Sequence, residues 1–135
     1  MKPHPYLRAY MAGVLLPSWF LLLAVTAFLI ALVTDRIPPR LTSAIVFPMA
    51  IVPNLWGAWN ALYHLPTLRR RIPIGIFGAL LPMILVPAGL TLAAELNLGF
   101  FTPRQAAIIL PVAMIVYYLV WKYAVAFFNR VVELR

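Results

Sequence analysis

Along the whole chain apolar residues do not alternate with polar ones at a helix or strand period. They run on until a charge interrupts them. Charged residues leave four uncharged stretches, 9–34, 41–68, 72–94 and 105–121, which hold 26, 28, 23 and 17 residues. As helices rising 1.5 Å per residue these would reach about 39, 42, 35 and 26 Å, against a hydrocarbon core of about 30 Å. The first three are long enough outright. The fourth ends at Lys122, but Tyr123 to Phe128 continue its apolar character, and a lysine near a helix end can extend to headgroup level. The pattern therefore predicts an all-α, polytopic membrane protein in which one domain, residues 1–135, is a bundle of four transmembrane helices over about 8–34, 41–65, 72–95 and 103–128. Buried helical hairpins in water would need a polar face on each segment, and these stretches have almost none. The first stretch follows Lys2 and Arg8 as a signal peptide would, yet its apolar run is too long for a signal-peptide core.

Local punctuation agrees with these boundaries. Thr102-Pro103-Arg104-Gln105 reads as an N-cap, a proline at the first helical position and a Gln three residues on, which is a capping box opening the fourth helix. Pro5 and Pro73 stand near the starts of helices one and three. The Pro38-Pro39 pair cannot continue a helix, so Asp35 to Arg40 is expected to be a tight turn, and Pro66 is expected to close helix two ahead of an Arg69-Arg70-Arg71 loop. Pro17, Pro48, Pro53, Pro82, Pro87 and Pro111 fall inside the expected spans and predict kinks. Helices two and three also share a phrase, Pro48-Met-Ala-Ile-Val-Pro53 and Pro82-Met-Ile-Leu-Val-Pro87. In helices of opposite direction such a repeat would be an inverted one, as in transporters with broken helices, although proline is also simply tolerated in membrane helices.

Composition narrows the chemistry. The chain is 64% hydrophobic and 10% charged, and it has no cysteine, so disulfides, thiolate metal sites and cysteine nucleophiles are excluded. With two histidines and three acids in 135 residues, paired carboxylates, a three-ligand metal site and a Ser-His-Asp set are unsupported, and no catalytic residue, metal or cofactor is expected. The net charge of +8 follows from where the cations stand, not from a nucleic-acid module. Lys2, Arg8, Arg69, Arg70, Arg71, Lys122, Arg130 and Arg135 fall on one side of the expected spans, and Arg36, Arg40 and Arg104 on the other. By the positive-inside rule both termini and the middle loop are cytoplasmic, in a membrane of the bacterial inner type. All the Trp and Tyr residues except Trp19 lie toward that same side, as an aromatic belt at one interface would.

Small residues should mark helix contacts, since packing in lipid depends on close backbone approach. Ala50, Asn54, Gly57 and Ala61 trace one face of helix two, Gly75, Gly78 and Ala79 open helix three, and Ala24, Ala27 and Ala31 line helix one. Trp56, Asn60 and His64, four apart, share another face of helix two. Asn54, Trp56, Asn60 and His64 are thus the candidates for ligand or helix contact, with the alternative that Tyr63 and His64 belong to the interfacial belt and the two Asn side chains tie helices together. Arg69, Arg70 and Arg71 are candidates for anionic lipid, or for topology alone. Glu95 is the candidate carboxylate at the outer boundary; a coupled transporter usually carries one well inside the membrane.

These features favour a small protein acting through helix contacts, an accessory or structural subunit of a larger membrane complex, with the bilayer and other membrane chains, of its own or another kind, as partners. The alternatives are an oligomeric channel or transporter lined by Asn54, Asn60 and proline-freed carbonyls, and, less favoured, a membrane enzyme acting on lipid or quinone through His64 and the arginines.

Overall fold

The computed structural model describes residues 4–34, 36, 42–95 and 102–134, with the backbone alone at 42–49 and 103. Among these residues the chain is helical and contains no strand. The expected turn over Asp35 to Arg40 lies, apart from Arg36, outside the described residues, as do the side chains of Pro48 and Met49 in the shared phrase.

Helix α1 runs Pro5–Val33 without a break at Pro17, with Pro5 in its first turn. Helix α2 runs Thr42–Tyr63. Pro66 does not close α2, which ends three residues earlier. Instead it opens a separate six-residue helix, α3, Pro66–Arg71, where its missing N–H costs nothing because the first turn has no partner for it. The three arginines therefore stand on the last turn of a helix, the favourable end for cations, and not in a loop.

The third apolar stretch is two helices, α4, Ile74–Ala79, and α5, Pro82–Glu95. The break has a chemical cause. Pro82 cannot donate to the Gly78 carbonyl, which accepts instead from Leu81 N at 3.1 Å, and the ladder steps to a tighter turn through Leu80 and Leu81.

The fourth stretch opens as its sequence dictates. Helix α6, Pro103–Val120, is capped by Thr102, whose side chain accepts from Gln105 N while the Gln105 side chain accepts from Thr102 N at 2.8 Å. It passes into a π-helical turn, Trp121–Val125, and ends in α7, Ala126–Val131, three residues beyond the expected boundary. The C-terminus closes in a Schellman turn: Glu133 N donates to Arg130 O at 2.9 Å and Leu134 N to Asn129 O at 2.8 Å, with Glu133 at φ 58° in the position glycine usually takes.

Three helical stretches are long and apolar enough to cross a membrane, Pro5–Val33, Ile74–Glu95 and Arg104–Val131. The helices pack as two antiparallel hairpins. α1 lies along α2; α4 and α5 lie along α6, with α4 also against the π turn; and the start of α1 meets the π turn and α7. The hairpins join where α1 begins, α2 ends, α4 begins and α7 ends, and the core of Trp56, Tyr63, Phe77, Leu81, Trp121 and Val125 sits there.

Candidate functional site

The joined end is built around amides. Asn60, fully buried on α2, donates from Nδ2 to Ala9 O on α1 and to Asn129 Oδ1 on α7, each at 2.7 Å. Asn129 Nδ2 returns a bond to Asn60 Oδ1 at 3.1 Å, so two buried amides face one another and hold three helices. Satisfied in this way, they avoid the penalty of polar groups in an apolar surround. Beside them the guanidinium of half-buried Arg8 lies 3.6 Å from exposed Glu133, a pair open enough to solvent that its contribution is small.

Two glycines allow this closeness. A Cβ on Gly13 would stand 2.6 Å from Trp56 O and 2.9 Å from Asn60 Cβ, so α1 reaches Asn60 only because that position has no side chain. A Cβ on Gly78 would fall 2.0 Å from Trp121 Cγ. Trp121 is fully buried in the hollow that Gly78 leaves. The π turn, in which Ala126 N reaches back to Trp121 O, keeps Trp121, Val125 and Asn129 all buried on the inner side.

Part of the aromatic set forms the core here, with Trp56, Tyr63 and Trp121 buried. Trp56 packs edge-on to Tyr117 at 5.1 Å between ring centroids, Trp59 stacks on Phe77 at 4.8 Å, and Tyr63 meets Phe77 at 5.4 Å and is itself buried. Tyr6, Tyr123 and Trp19 are the ones left exposed. Trp59 Nε1 also donates to Phe77 O at 2.9 Å, filling a carbonyl whose usual partner, Leu81 N, has moved to Gly78.

Each candidate from the sequence now has a place. Asn60 and Trp56 are in the joined core. Asn54 is on the exposed side of α2, where its Oδ1 accepts from the Tyr10 hydroxyl and its Nδ2 donates to Ala50 O at 2.6 Å. Glu95 is exposed at the far end of α5. Of the expected small-residue faces, Gly57 packs on Tyr10 and Val14, and Gly75 on Tyr118. Ala24, Ala27 and Ala31 are at best half-buried; the small residues that α1 buries are Ala9, Ala12 and Gly13, nearer its start.

His64 lies in the turn after α2, outside that helix. Burial, with the Arg69 charge adding to it, pushes its pKa below the ordinary 6.5, and a hydrogen bond with Asn129 offsets part of this. It is therefore neutral at neutral pH. Next to it opens a cleft of about 360 Å3 lined by Tyr63, His64, Arg69, Lys122, Asn129 and Arg130, among others. Of the arginine triplet only Arg69 lines it; Arg70 and Arg71 are exposed elsewhere on α3.

Asn129, Glu133, Trp121, Lys122 and Arg130 are the residues that sequence reasoning passed over as site residues. One signal was available: Trp121, Val125 and Asn129 repeat at the same four-residue spacing as Trp56, Asn60 and His64, and place a second Asn one helical turn from the end of an apolar run. No group of His and acidic side chains able to hold a metal occurs among the described residues. No family model, curated protein or solved structure matches this chain.

Proposed function

We propose that the chain is a four-span membrane protein, with α2 as the fourth crossing and both termini on the cytoplasmic side, that works through helix contacts as an accessory or structural subunit of a larger membrane assembly. At 22 residues α2 would reach about 33 Å, enough for the hydrocarbon core. The orientation rests on the cations. Arg8, Arg69, Arg70, Arg71, Lys122 and Arg130 gather near the joined end, and Arg36 and Arg104 stand at the other.

One observation carries the choice of role. The polar groups that a transport path would need are already spent on holding helices together. Asn60 is committed to Ala9 and Asn129, Asn54 to Tyr10 and Ala50, and the carbonyl of Phe77 to Trp59. A channel would have to break these bonds to offer them to a solute. A membrane enzyme has a specific observation in its favour, since His64 lines a cleft at the bundle end, but no acid lines that cleft among the described residues to act with it.

The experiment is gentle extraction from the native membrane followed by identification of chains that co-purify in fixed ratio. A heterologous partner at constant stoichiometry supports the subunit role. A chain that emerges alone or only with itself overturns it, and flux assays with Asn54→Ala and Asn60→Ala variants then become the test of the channel alternative.

A further inference from the structure

We propose that the groove along α1 is a docking surface for a second copy of this chain, with the two α1 helices crossing at Ser18 and Trp19. The inference goes beyond the subunit role and stands apart from it, since it concerns what the chain does with its own kind. The groove, of about 430 Å3, is lined on α1 by Met11, Leu15, Ser18, Trp19 and Leu22, among others. The helix buries Ala9, Ala12 and Gly13 on another side, where Gly13 touches α2, so the groove faces away from that contact. Met11, Leu15, Ser18 and Leu22 follow one another at spacings of four, three and four, as along the seam of a left-handed helix pair. An acyl chain fills an apolar groove as readily as a helix does. Apolar character alone therefore does not choose the occupant.

The polar atoms of the groove choose it. Trp19 stands midway along Pro5–Val33 and is 65% exposed, at a depth where an indole is out of place, because tryptophan favours the interface. Thr26 and Thr34 of the same helix turn their hydroxyls back onto carbonyls at 2.8 Å. Neither Ser18 Oγ nor Trp19 Nε1 has a hydrogen-bond partner among the described residues. Hydrocarbon offers them none, and an unpaired polar group there is costly. An indole N–H can only donate, whereas a hydroxyl also accepts, so each side chain has what the other lacks. A second copy brings them together. Copies share one orientation in the bilayer, so a two-fold axis along the membrane normal sets each Trp19 at the depth of the other copy's Ser18, and each indole donates to the opposite hydroxyl. The protruding ring and the hollow beside it also lie on one face, so each copy fills the other. An acyl chain carries no acceptor at this depth and would leave both groups unpaired.

The test uses the full chain. Sedimentation equilibrium in a density-matched neutral detergent gives the monomer–dimer constant for the native chain, for Trp19→Phe and Ser18→Ala, and for Ile115→Ala on the exposed side of α6. We expect a dimer whose dissociation constant rises roughly tenfold in Trp19→Phe and in Ser18→Ala, each of which removes both symmetry-related bonds, and less than about twofold in Ile115→Ala. Trp19→Phe keeps a ring at an exposed position, so a loss there is not a loss of folding. Because the chain has no cysteine, Leu15→Cys and Ile115→Cys then report contacts in the native membrane one position at a time. A residue on the seam of a two-fold interface meets its own copy, so Leu15→Cys should oxidise to a linked dimer and Ile115→Cys should not. A chain that stays monomeric, dissociation constants indifferent to Trp19→Phe and Ser18→Ala, or equal crosslinking at the two cysteine positions would overturn the proposal. So would a Leu15→Cys crosslink to a different chain, which would assign the groove to a heterologous partner. The dimer constant is measured on the isolated chain, so the presence or absence of co-purifying subunits leaves it untouched.

Discussion

The two ends of the bundle are built on different principles. At one end two amides, a buried indole and five other core side chains lock two hairpins together, and glycines let the backbones touch. Toward the other end α1 carries Trp19, Phe20, Leu23, Ile30 and Val33 exposed, and α5 buries only its first residue, Pro82. In water such a half would be a liability, whereas in lipid it is an ordinary surface, since lipid tails are as apolar as the side chains. The contrast shows where specificity resides. Apolar content holds the whole chain in the membrane, but shape and hydrogen bonding at one end decide how its helices sit relative to one another.

The largest effect should come from filling the hollow under Trp121. Gly78→Ala places a methyl group inside the van der Waals radius of a fully buried ring whose near atoms cannot swing aside, and should cost about 3 kcal/mol or more, read as loss of monodisperse protein in detergent or as a lowered thermal midpoint. Next is Asn60→Leu, which strands Asn129 and the Ala9 carbonyl and should cost about 2 kcal/mol. Adding Asn129→Leu should cost less than the sum of the single changes, because the second change removes a group the first had already left unpaired. A smaller effect belongs to His64. Its folded pKa lies below the unfolded value of 6.5, so the unfolded chain binds the proton more readily; stability is flat above 6.5 and falls as the pH drops through the lower folded value. Thermal midpoints followed downward from neutral pH should show this decline in the native chain and a weaker one in His64→Gln. Least of all, Ala27→Leu on the exposed side of α1 should change stability by no more than about 0.5 kcal/mol.

What could be read from the sequence was what depends on neighbours along the chain. The Thr102 capping box, Pro5 in the first turn and three of the four apolar lengths follow from local chemistry, and each of these is present. Pro66 was local too, but a proline ends one helix or begins the next with equal ease, and only the position where α2 stopped decides between them. Asn60 stood out as a polar residue in an apolar run, while its partner Asn129 is 69 residues away, and the four-residue spacing around each does not by itself pair them. Which aromatic residues enter the core could not be read locally, because Trp56, Tyr63 and Trp121 differ from exposed Tyr123 only in rotation about a helix axis. The cleft beside His64 was the least legible feature, since residues of separate elements, from Tyr63 to Leu134, line it.

The contrast between the ends is tested most directly by distances across each of them. The chain has no cysteine, so pairs of nitroxide labels can be placed without background, one pair at exposed Leu62 and Tyr123 near the joined end and one at exposed Val33 and Ile108 at the other. Pulsed electron-spin distance measurements on the isolated chain in lipid nanodiscs should give a narrow, single distribution for the first pair and a broad one for the second, and Asn60→Leu should broaden the first. Equal widths at the two ends, or a first pair indifferent to Asn60→Leu, would contradict a bundle held at one end by its buried amides.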